Sequence, residues 1–364
     1  MTWLTFSFWD LILIGHVLGK DLQGNFDMKE SITQRLKSKI PDVSVIIVNW
    51  NTRDLLQQAL ESLYQETHDI TFETIVIDNA SRDGTTDYIQ KEWQQVKIIA
   101  LHENLGFGVA NNIGFKESSG RYILVLNSDT IVLPSTLSGM VGFLDTHPKA
   151  GCVGCRHLNP DGTLQGSMDS FPSLFKDFLC FSDMYRIPVL QPFLQKKYPY
   201  WSNHDKICKV DWVNGSCMMV RCEVIEEVGG FDDGCFMYAE ELDWCYRMKN
   251  AGWEVFFTPE SEIIHIGGQS SKKIADKRIT LLYKGHYRFY RRNYSMWKYL
   301  VLRIIVAVIA NPRLFILSFF YLLSLLGVKP RIKQWEILTQ ESVVTEPIIM
   351  LRAWWNIFFL PWKI

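Results

Sequence analysis

Charge of one sign is what this chain lacks most plainly. Its 38 Lys and Arg stand against 39 Asp and Glu, a formal net charge of -1. No global field therefore draws it to nucleic acid, and no nucleic-acid partner is expected. A disulfide framework is also missing. The eight cysteines are scattered, which fits a reducing compartment where Cys serves as a small buried hydrophobe. Cys152 and Cys155 have C-x-x-C spacing, but no second pair or His cluster completes a zinc site, and Gly151, Val153 and Gly154 around them read as a tight strand. The chain also has no apolar run of the ~20 residues that a membrane-spanning helix needs. Trp3 to Leu18 is apolar but broken by Asp10 and His16, and no basic residue precedes it. That makes it a poor secretory signal and a poor span. Residues 1–27 read either as an amphipathic interfacial helix or as an extension ahead of a start at Met28.

With 364 residues, the chain can bury a sizeable core in one large or two medium domains. Aromatics reach 13%, and many of the 13 Trp lie near the two ends, a placement that hints at membrane-interface segments. From Pro41 a repeating pattern begins. Val43 to Val48 is a continuous β-branched run ending in Asn49-Trp50-Asn51, the signature of a buried parallel strand. Leu55, Leu56, Ala59, Leu60 and Leu63 then recur at helical spacing. Further strands are expected at Thr74 to Ile77, Val96 to Ala100 and Tyr122 to Leu126, with helices between them. Strands alternating with helices imply right-handed βαβ units and a mostly parallel sheet. Ligands of such sheets bind beyond the carboxyl ends of the strands. The polar clusters Asn49/Asn51, Asp78/Asn79 and Asn127/Asp129 all fall at those ends. The glycines of Gly106-Phe-Gly108 lack the spacing of a dinucleotide fingerprint.

One stretch, Phe236 to Arg247, sets Glu240, Glu241 and Asp243 among Phe236, Tyr238, Trp244 and Tyr246. Carboxylates cost several kcal/mol each to desolvate unless paired, so two readings stand. One is the exposed face of an ordinary helix with an Asp243–Arg247 pair. The other is an active-site wall holding a metal or a general base.

In their order along the chain, Val43 to Asn51, Asp78 to Thr85, Asn104 to Asn112, Asn127 to Asp129, Asn159 to Gly162, Val213 to Ser216, Gly229 to Asp232, the acidic stretch and His265 to Ser270 resemble the motifs of the inverting family 2 glycosyltransferases. The likeness is to the rhamnosyltransferase-like branch and covers about residues 41 to 272. It implies the α/β GT-A fold of nucleotide-diphospho-sugar transferases over residues 41–275, after an N-terminal extension (1–40) and before a helical, membrane-associating region (276–364). By the same resemblance, Asp78 matches the acid that binds the base or ribose, and Asn49 and Asn51 sit where the first strand's end meets the nucleotide. Asp129 matches the last acid of the D-x-D motif. Asn127 departs from the motif's first acid, though its neutral oxygen still suits a hard cation or a ribose. His265 matches a histidine that completes the Mg2+ or Mn2+ site, and Glu241 matches the catalytic base, with Glu240 as its neighbour.

The implied reaction is inverting transfer from a nucleoside-diphosphate sugar, dTDP-L-rhamnose favoured, to a hydroxyl of a glycan or lipid-linked glycan acceptor in cell-surface polysaccharide synthesis. Asp243 and Arg247 read as a pair orienting the site, and Trp212, Asn214 and Trp244 as candidates for acceptor or sugar contacts. The alternatives are a family 2 transferase of another donor such as a UDP-sugar, and a non-catalytic membrane scaffold with the same fold. A nucleotidyltransferase would want a basic Gly-rich signature near the first strand, which Val43 to Asn51 does not carry. After Lys272 the composition shifts. Ten Lys or Arg and no Asp or Glu lie between Lys284 and Lys333. The apolar runs Tyr299 to Ala310 and Leu314 to Val328 are 12 and 15 residues long and flank Asn311-Pro-Arg313. They read either as core helices or, with the basic flanks and the aromatic patch Trp354 to Trp362, as a monotopic or re-entrant hairpin on an anionic leaflet, the reading favoured here. The protein would then work at the cytoplasmic face of the membrane.

Overall fold

Val43 to Ile47 is buried throughout, which is why the run does not alternate apolar and polar residues and its one hydroxyl, Ser44, is bonded to Glu73. In the computed structural model, which describes residues 40–202, 204–268 and 275–325 together with Trp355 and Ile357, it forms β1 (Val43–Asn49). The chain divides into Met1–Pro41 and Asp42–Ile364, and the description concerns the second unit. The expectation for residues 1–40 lies outside the described residues save for the last. After β1 come α1 (Arg53–Glu66), β2 (Phe72–Asp78), α2 (Thr85–Glu92), β3 (Val96–Ala100), α3 (Phe107–Lys116), β4 (Tyr122–Asn127), β5 (Thr130–Val132) and α4 (Thr136–Thr146). The middle of the chain holds β6 (Ala150–Leu158), β7 (Leu164–Gln165), β8 (Met168–Asp169), α5 (Leu174–Phe181) and α6 (Gln191–Lys197). Next are β9 (Cys208–Val210), β10 (Trp212–Val213), β11 (Cys217–Arg221), α7 (Cys222–Val228), α8 (Glu240–Asn250) and β12 (Glu254–His265). Two helices follow, α9 (Ala275–Asn293) and α10 (Met296–Leu325).

Side chains alternate across β1. Val43, Val45 and Ile47 pack on one face against Leu56, Leu60 and Leu63 of α1. Ile46 packs on the other face with Ile75, Ile77 and Ala110 of α3. Each such buried Leu or Ile contributes about 1.5–3 kcal/mol, so α1 is held by its apolar stripe more than by its own propensity.

The main sheet runs β3-β2-β1-β4-β11-β6-β12-β5. Its first half is parallel, as the alternation of strands and helices implies. The whole sheet is mixed, not mostly parallel. β11 runs antiparallel to both β4 and β6, and β5 runs antiparallel to β12. The reason lies in where β11 begins. Its lead-in residue Ser216 accepts a hydrogen bond from the Asn127 amide at 2.9 Å, at the carboxyl end of β4. A strand that starts at that edge, with no crossover to carry it back, must run the other way.

Within β6 a three-residue offset sends two side chains to opposite faces. Cys155 accordingly belongs to the β1-side core and Cys152 to the core around Trp244. Burial pushes both thiols well up, with Cys245 beside Cys152 and Cys217 beside Cys155 adding to it. They are inert core residues.

The C-terminal helices close over α8. Tyr283, Tyr287 and Tyr290 of α9 cluster with Tyr299, Leu302, Val306 and Ala310 of α10, and with Ala239, Leu242 and Ile357. The hairpin expected around Asn311-Pro-Arg313 does not form, because α10 is one continuous helix of 30 residues. Proline removes only its own N–H donor, and it bends a helix more often than it reverses the chain. Among the described residues, no helix is long and apolar enough to cross a membrane. Of the aromatic patch 354–362, only Trp355 (exposed) and Ile357 (buried) fall within the described residues.

α9 reaches the start of α8 through Gly285. A Cβ there would stand 2.5 Å from the Tyr238 carbonyl oxygen and 3.0 Å from the Ala239 Cβ. Tyr238 and Ala239 both hold left-handed backbone, with φ of 73° and 67°, a conformation that needs support from its surroundings. Gly285→Val is therefore expected to displace this entry, lowering Tm by several degrees and reducing turnover. A variant with wild-type melting and turnover would show that the close approach is not needed.

Candidate active site

The carboxyl ends of β1 and β2 meet in a hydrogen-bonded knot. Asn49 is fully buried, and its Nδ2 lies 3.1 Å from Thr85 Oγ1, 3.2 Å from Ser81 Oγ and 3.5 Å from Asp78 Oδ1. Thr52 donates to Asn49 Oδ1 at 2.6 Å and contacts Ser128 Oγ at 2.9 Å. The Asn49 side chain is thus spent inside the scaffold. Asp78 accepts from Thr86 Oγ1 at 3.1 Å and from the Ser81 amide at 3.3 Å. Asn51 takes left-handed backbone and accepts from the Arg82 amide at 2.7 Å. It ties the β1 end to the loop after β2. Across the β3–α3 turn, Asn79 donates to Asn104 Oδ1 and to the Gly106 carbonyl. Gly106 has a φ of 85°, and a Cβ there would stand 2.3 Å from the Phe236 carbonyl oxygen.

Beyond β4, a second corner gathers Asn127, Asp129 and His265. Asp129 Oδ1 and Asn127 Nδ2 each lie 3.4 Å from His265 Nε2. Asp129 is buried, and the His265 side chain is only 12% exposed. The tautomer of His265 follows from Gln165. Gln165 Nε2 donates to Asn159 Oδ1 and to the His265 carbonyl, which leaves its Oε1 to face His265 Nδ1 at 2.6 Å. Nδ1 must therefore donate, and Nε2 is the nitrogen that faces Asp129 Oδ1 and Asn127 Nδ2. A carboxylate oxygen next to an imidazole nitrogen, with the far nitrogen held by an amide, is a donor set that fits a divalent cation. Among the described residues no group of three or more His, Cys, Asp and Glu is placed to hold a metal ion. Mg2+ and Mn2+ take one or two protein ligands and fill the rest with phosphate oxygens and water.

The turn Asn214-Gly215-Ser216 joins this corner to the acidic helix. Asn214 Oδ1 accepts from Ser216 N at 2.9 Å and from Ser216 Oγ at 2.8 Å, and Ser216 Oγ lies 3.3 Å from His157 Nδ1. His157 is fully buried beside the His265 ring, with centroids 5.8 Å apart. Burial, then the neighbouring His265 and His204, hold it well below the usual imidazole range, so it stays neutral. On the other side of the turn, a Cβ on Gly215 would touch the Cβ of Glu241 at 3.5 Å.

Glu240 and Glu241 open α8. Neither has a cation beside it, and Glu240 Oε2 and Glu241 Oε2 are buried without a hydrogen-bond partner among the described residues. Burial raises the Glu241 carboxyl to about 7, against the backbone amides of Glu241 and Leu242 that favour its charged form. Burial and then the neighbouring Glu241 push Glu240 well above the carboxylate range. Two adjacent acids in one site share their titration. Of the two, Glu240 is pushed further toward its protonated form, and Glu241 is held near neutrality.

The remaining candidates serve the frame. Asp243 accepts from Arg247 Nε and Asn293 Nδ2, each at 2.9 Å, and Arg247 donates to the Val228 and Gly230 carbonyls. The pair clamps α8 to the loop after α7 and to α9. Trp212 donates to the Ser170 carbonyl at 3.0 Å and packs between two core clusters. Trp244 is fully buried and not a sugar platform, since Phe115 and Phe231 cover its faces. Gln165 and His157 escaped the sequence reading. Gln165 lies in a short hairpin after Asn159-Pro-Asp-Gly162, and nothing in its spacing points to a residue 100 positions away. The knot's Ser128, Thr52 and Thr85 are ordinary hydroxyls until the strand ends bring them together.

A model described as glycosyl transferase family 2 matches residues 44–229, more than half of the 364-residue chain. An N-acetylglucosaminyl-diphospho-decaprenol L-rhamnosyltransferase of Mycobacterium tuberculosis is 27% identical over 269 residues, covering 70% of this chain and 85% of that protein. The rhamnosyltransferase WbbL of Escherichia coli is 27% identical over 267 residues, covering 69% of this chain and 93% of its own length. Among solved structures, a mannosyltransferase of Pyrobaculum calidifontis in complex with GDP-Man and Mn2+ is 16% identical, with a TM-score of 0.49 over 88% of this chain and 86% of that one. The match to the family model places the chain in glycosyl transferase family 2, and these two relatives are rhamnosyltransferases by name.

Proposed function

We propose that this glycosyltransferase is inverting and metal-dependent. It moves L-rhamnose from dTDP-L-rhamnose to a hydroxyl of a lipid-linked glycan in cell-surface polysaccharide synthesis. The observation that carries the reading is Glu241: a carboxyl with no ion pair among the described residues and one oxygen, Oε2, without a hydrogen-bond partner, raised to about 7 by burial and set against the turn Asn214–Ser216 that leads to the Asp129–His265 corner. The two relatives act as rhamnosyltransferases by name, which favours rhamnose as the sugar.

In this reading the β1–β2 knot sets Asp78 toward the nucleoside, and Asn51 shapes the same edge. Asp129 and His265, with Asn127 beside them, would hold Mg2+ or Mn2+, which would supply positive charge against the diphosphate leaving group. The acceptor oxygen forms its bond to the anomeric carbon as the bond to the diphosphate breaks, and the hydroxyl proton passes to Glu241. One displacement inverts the centre, and no enzyme nucleophile is needed. Glu240 keeps its own proton and leaves the nearby charge to Glu241.

A panel of dTDP-, UDP- and GDP-sugars with Mg2+ or Mn2+, scored by nucleoside diphosphate release, tests the donor. Turnover with a UDP-sugar alone would replace the rhamnose assignment, and no turnover with any donor would leave the scaffold reading.

The acid pair sets a pH dependence. Wild-type kcat/KM should rise with pH through an apparent value near 7 as Glu241 ionises. Glu241→Gln should lose that limb and about 10²–10⁴-fold in rate. A variant of near wild-type rate would remove Glu241 from the base role. Stability should move the other way. A carboxyl raised in the folded state keeps a proton that the unfolded chain loses above its ordinary 4.5, so stability falls as pH rises from there. Glu240→Gln should therefore gain Tm over wild type at pH 8 and gain little at pH 5.

The metal corner is tested by calorimetry of Mn2+ with dTDP present. Asp129→Ala and His265→Ala should abolish the Mn2+-dependent part, and Gln165→Leu should weaken it about 10–100-fold by freeing the imidazole. An unchanged titration in Gln165→Leu would show that the amide does not orient His265.

Membrane placement is part of the same reading. Trp297, Leu300, Ile304 and Val308 form an exposed stripe on α10, each at least 45% accessible, opposite the buried Tyr299, Leu302 and Val306. With Lys298 and Arg303 on the same helix, this is the pattern of a helix lying in an anionic interface. The protein should sediment with phosphatidylglycerol vesicles at low salt, and Ile304→Glu/Val308→Glu should release it. A wild-type protein that stays in the supernatant would end the interfacial assignment.

A further inference from the structure

Between β8 and β9 the chain leaves the sheet and folds into a small helical body. α5, the 3-10 turn Pro188–Leu190 and α6 close on a core of Leu179, Leu194 and Tyr198. No residue of the candidate active site comes from α5 or α6. Helices that bury one face ordinarily turn polar residues outward. Here the outer face is apolar. Phe175 and Phe193 are about half exposed, and Val189 is 81% exposed. Val189, Phe193 and Lys197 stand four apart in the run of helical backbone from Pro188 to Lys197, so they share one face. Leu190 and Leu194, one position on, pack into the core instead. Phe175 joins the patch from α5, because Lys197 Nζ lies 5.2 Å from the ring centres of both Phe175 and Phe193.

The free charge around these rings has one sign. Asp183 pairs with Arg186 at 3.5 Å. Asp169 and Asp177 are buried, and Asp169 holds Lys176 at 2.5 Å. That leaves Lys196 and Lys197, both exposed and without a carboxylate partner among the described residues. Apolar side chains with cations at their edge match an anionic bilayer, where the rings enter the headgroup boundary and the ammonium groups reach lipid phosphates. A second copy of the chain fits less well, since a two-fold contact through this patch would set Lys196 and Lys197 against their own counterparts. The patch is also continuous with α10 through the core. Phe181, the last residue of α5, packs in the cluster that holds Tyr299, Leu302 and Val306, and the opposite side of α10 is its exposed stripe.

We propose that the outer face of α5 and α6 is a second membrane-attachment surface. Phe175, Val189 and Phe193 enter an anionic leaflet, and Lys196 and Lys197 meet its phosphates. The inference rests on the membrane placement of the preceding section but on different residues. A single helix at the interface leaves the body free to turn about that helix axis. A second contact on another element fixes how the body stands on the bilayer.

The test places a fluorescent amino acid at Val189 of the full chain, and in a second protein at Val308, and adds vesicles of brominated phosphatidylglycerol. Quenching at position 189 is expected. Val189→Glu/Phe193→Glu should weaken vesicle partition about a hundredfold, about tenfold for each apolar side chain held out. Lys196→Gln/Lys197→Gln should weaken it about thirtyfold on phosphatidylglycerol and little on neutral phosphatidylcholine. All four side chains are exposed, and melting temperatures guard against misfolding. Quenching at 308 but not at 189 would overturn the proposal and leave α10 as the attachment. Quenching at 189 but not at 308 would fail the α10 assignment alone, and quenching at neither would end both. Unchanged phosphatidylglycerol partition in the lysine variant would also overturn the proposal, since lipid charge would then play no part. So would a dimer that forms without vesicles and dissolves in Val189→Glu/Phe193→Glu, by giving the patch to a second copy.

Discussion

Two adjacent carboxyl groups, Glu240 buried and Glu241 half-buried with its Oε2 enclosed, open α8 without an ion pair among the described residues, and much of the surrounding structure serves to keep them there. Ionising both in such a place is prohibitively costly. The pair therefore splits, with one acid held neutral and the other poised near neutrality. The helix start lowers the cost of the charge that remains, because its free amides and dipole favour an anion. Holding the helix in that position takes several further contacts. Tyr238 and Ala239 enter it through left-handed backbone. Trp244 anchors its buried face by donating to the Gly229 carbonyl. Asp243 and Arg247 fasten it to the loop after α7 and, through Asn293, to α9.

The sheet places the other half of the chemistry. Parallel strands β1, β2 and β4 end together, so their polar tails share one edge. The tails have different tasks. Asn49 is consumed in cross-strand bonds, whereas Asp129 meets His265 from the far end of β12. The antiparallel insertion of β11 links the two halves, because its lead-in turn lies between Asn127 and Glu241. Gln165 then holds the Nδ1 side of His265, a single hydrogen bond that turns Nε2 toward Asp129.

The C-terminal helices belong to this arrangement. α9 carries a basic face against the entry to α8 and an aromatic face into the core. α10 buries Tyr299, Leu302 and Val306 and leaves Trp297, Leu300, Ile304 and Val308 exposed.

Local pattern was enough for the elements. The β-branched run of β1, the helical spacing of Leu56, Ala59, Leu60 and Leu63, and the polar residues closing each strand are short-range signals. They are read correctly because burial on both faces, or on one stripe, imposes them directly. The order of motifs was likewise enough for the family. What the sequence left open depends on which residues meet across long separations. The acids of Glu240 and Glu241 read equally well as a solvated surface until packing removed their water. Trp244 resembled a sugar platform until Phe115 and Phe231 covered it. The antiparallel course of β11, the continuity of α10 through Pro312 and the bond from His265 to Gln165 follow from tertiary placement alone, because each is set by a partner far along the chain. Proton affinity is the clearest case: the same Glu side chain titrates near 4.5 in water and near 7 at position 241, and only its surroundings make the difference.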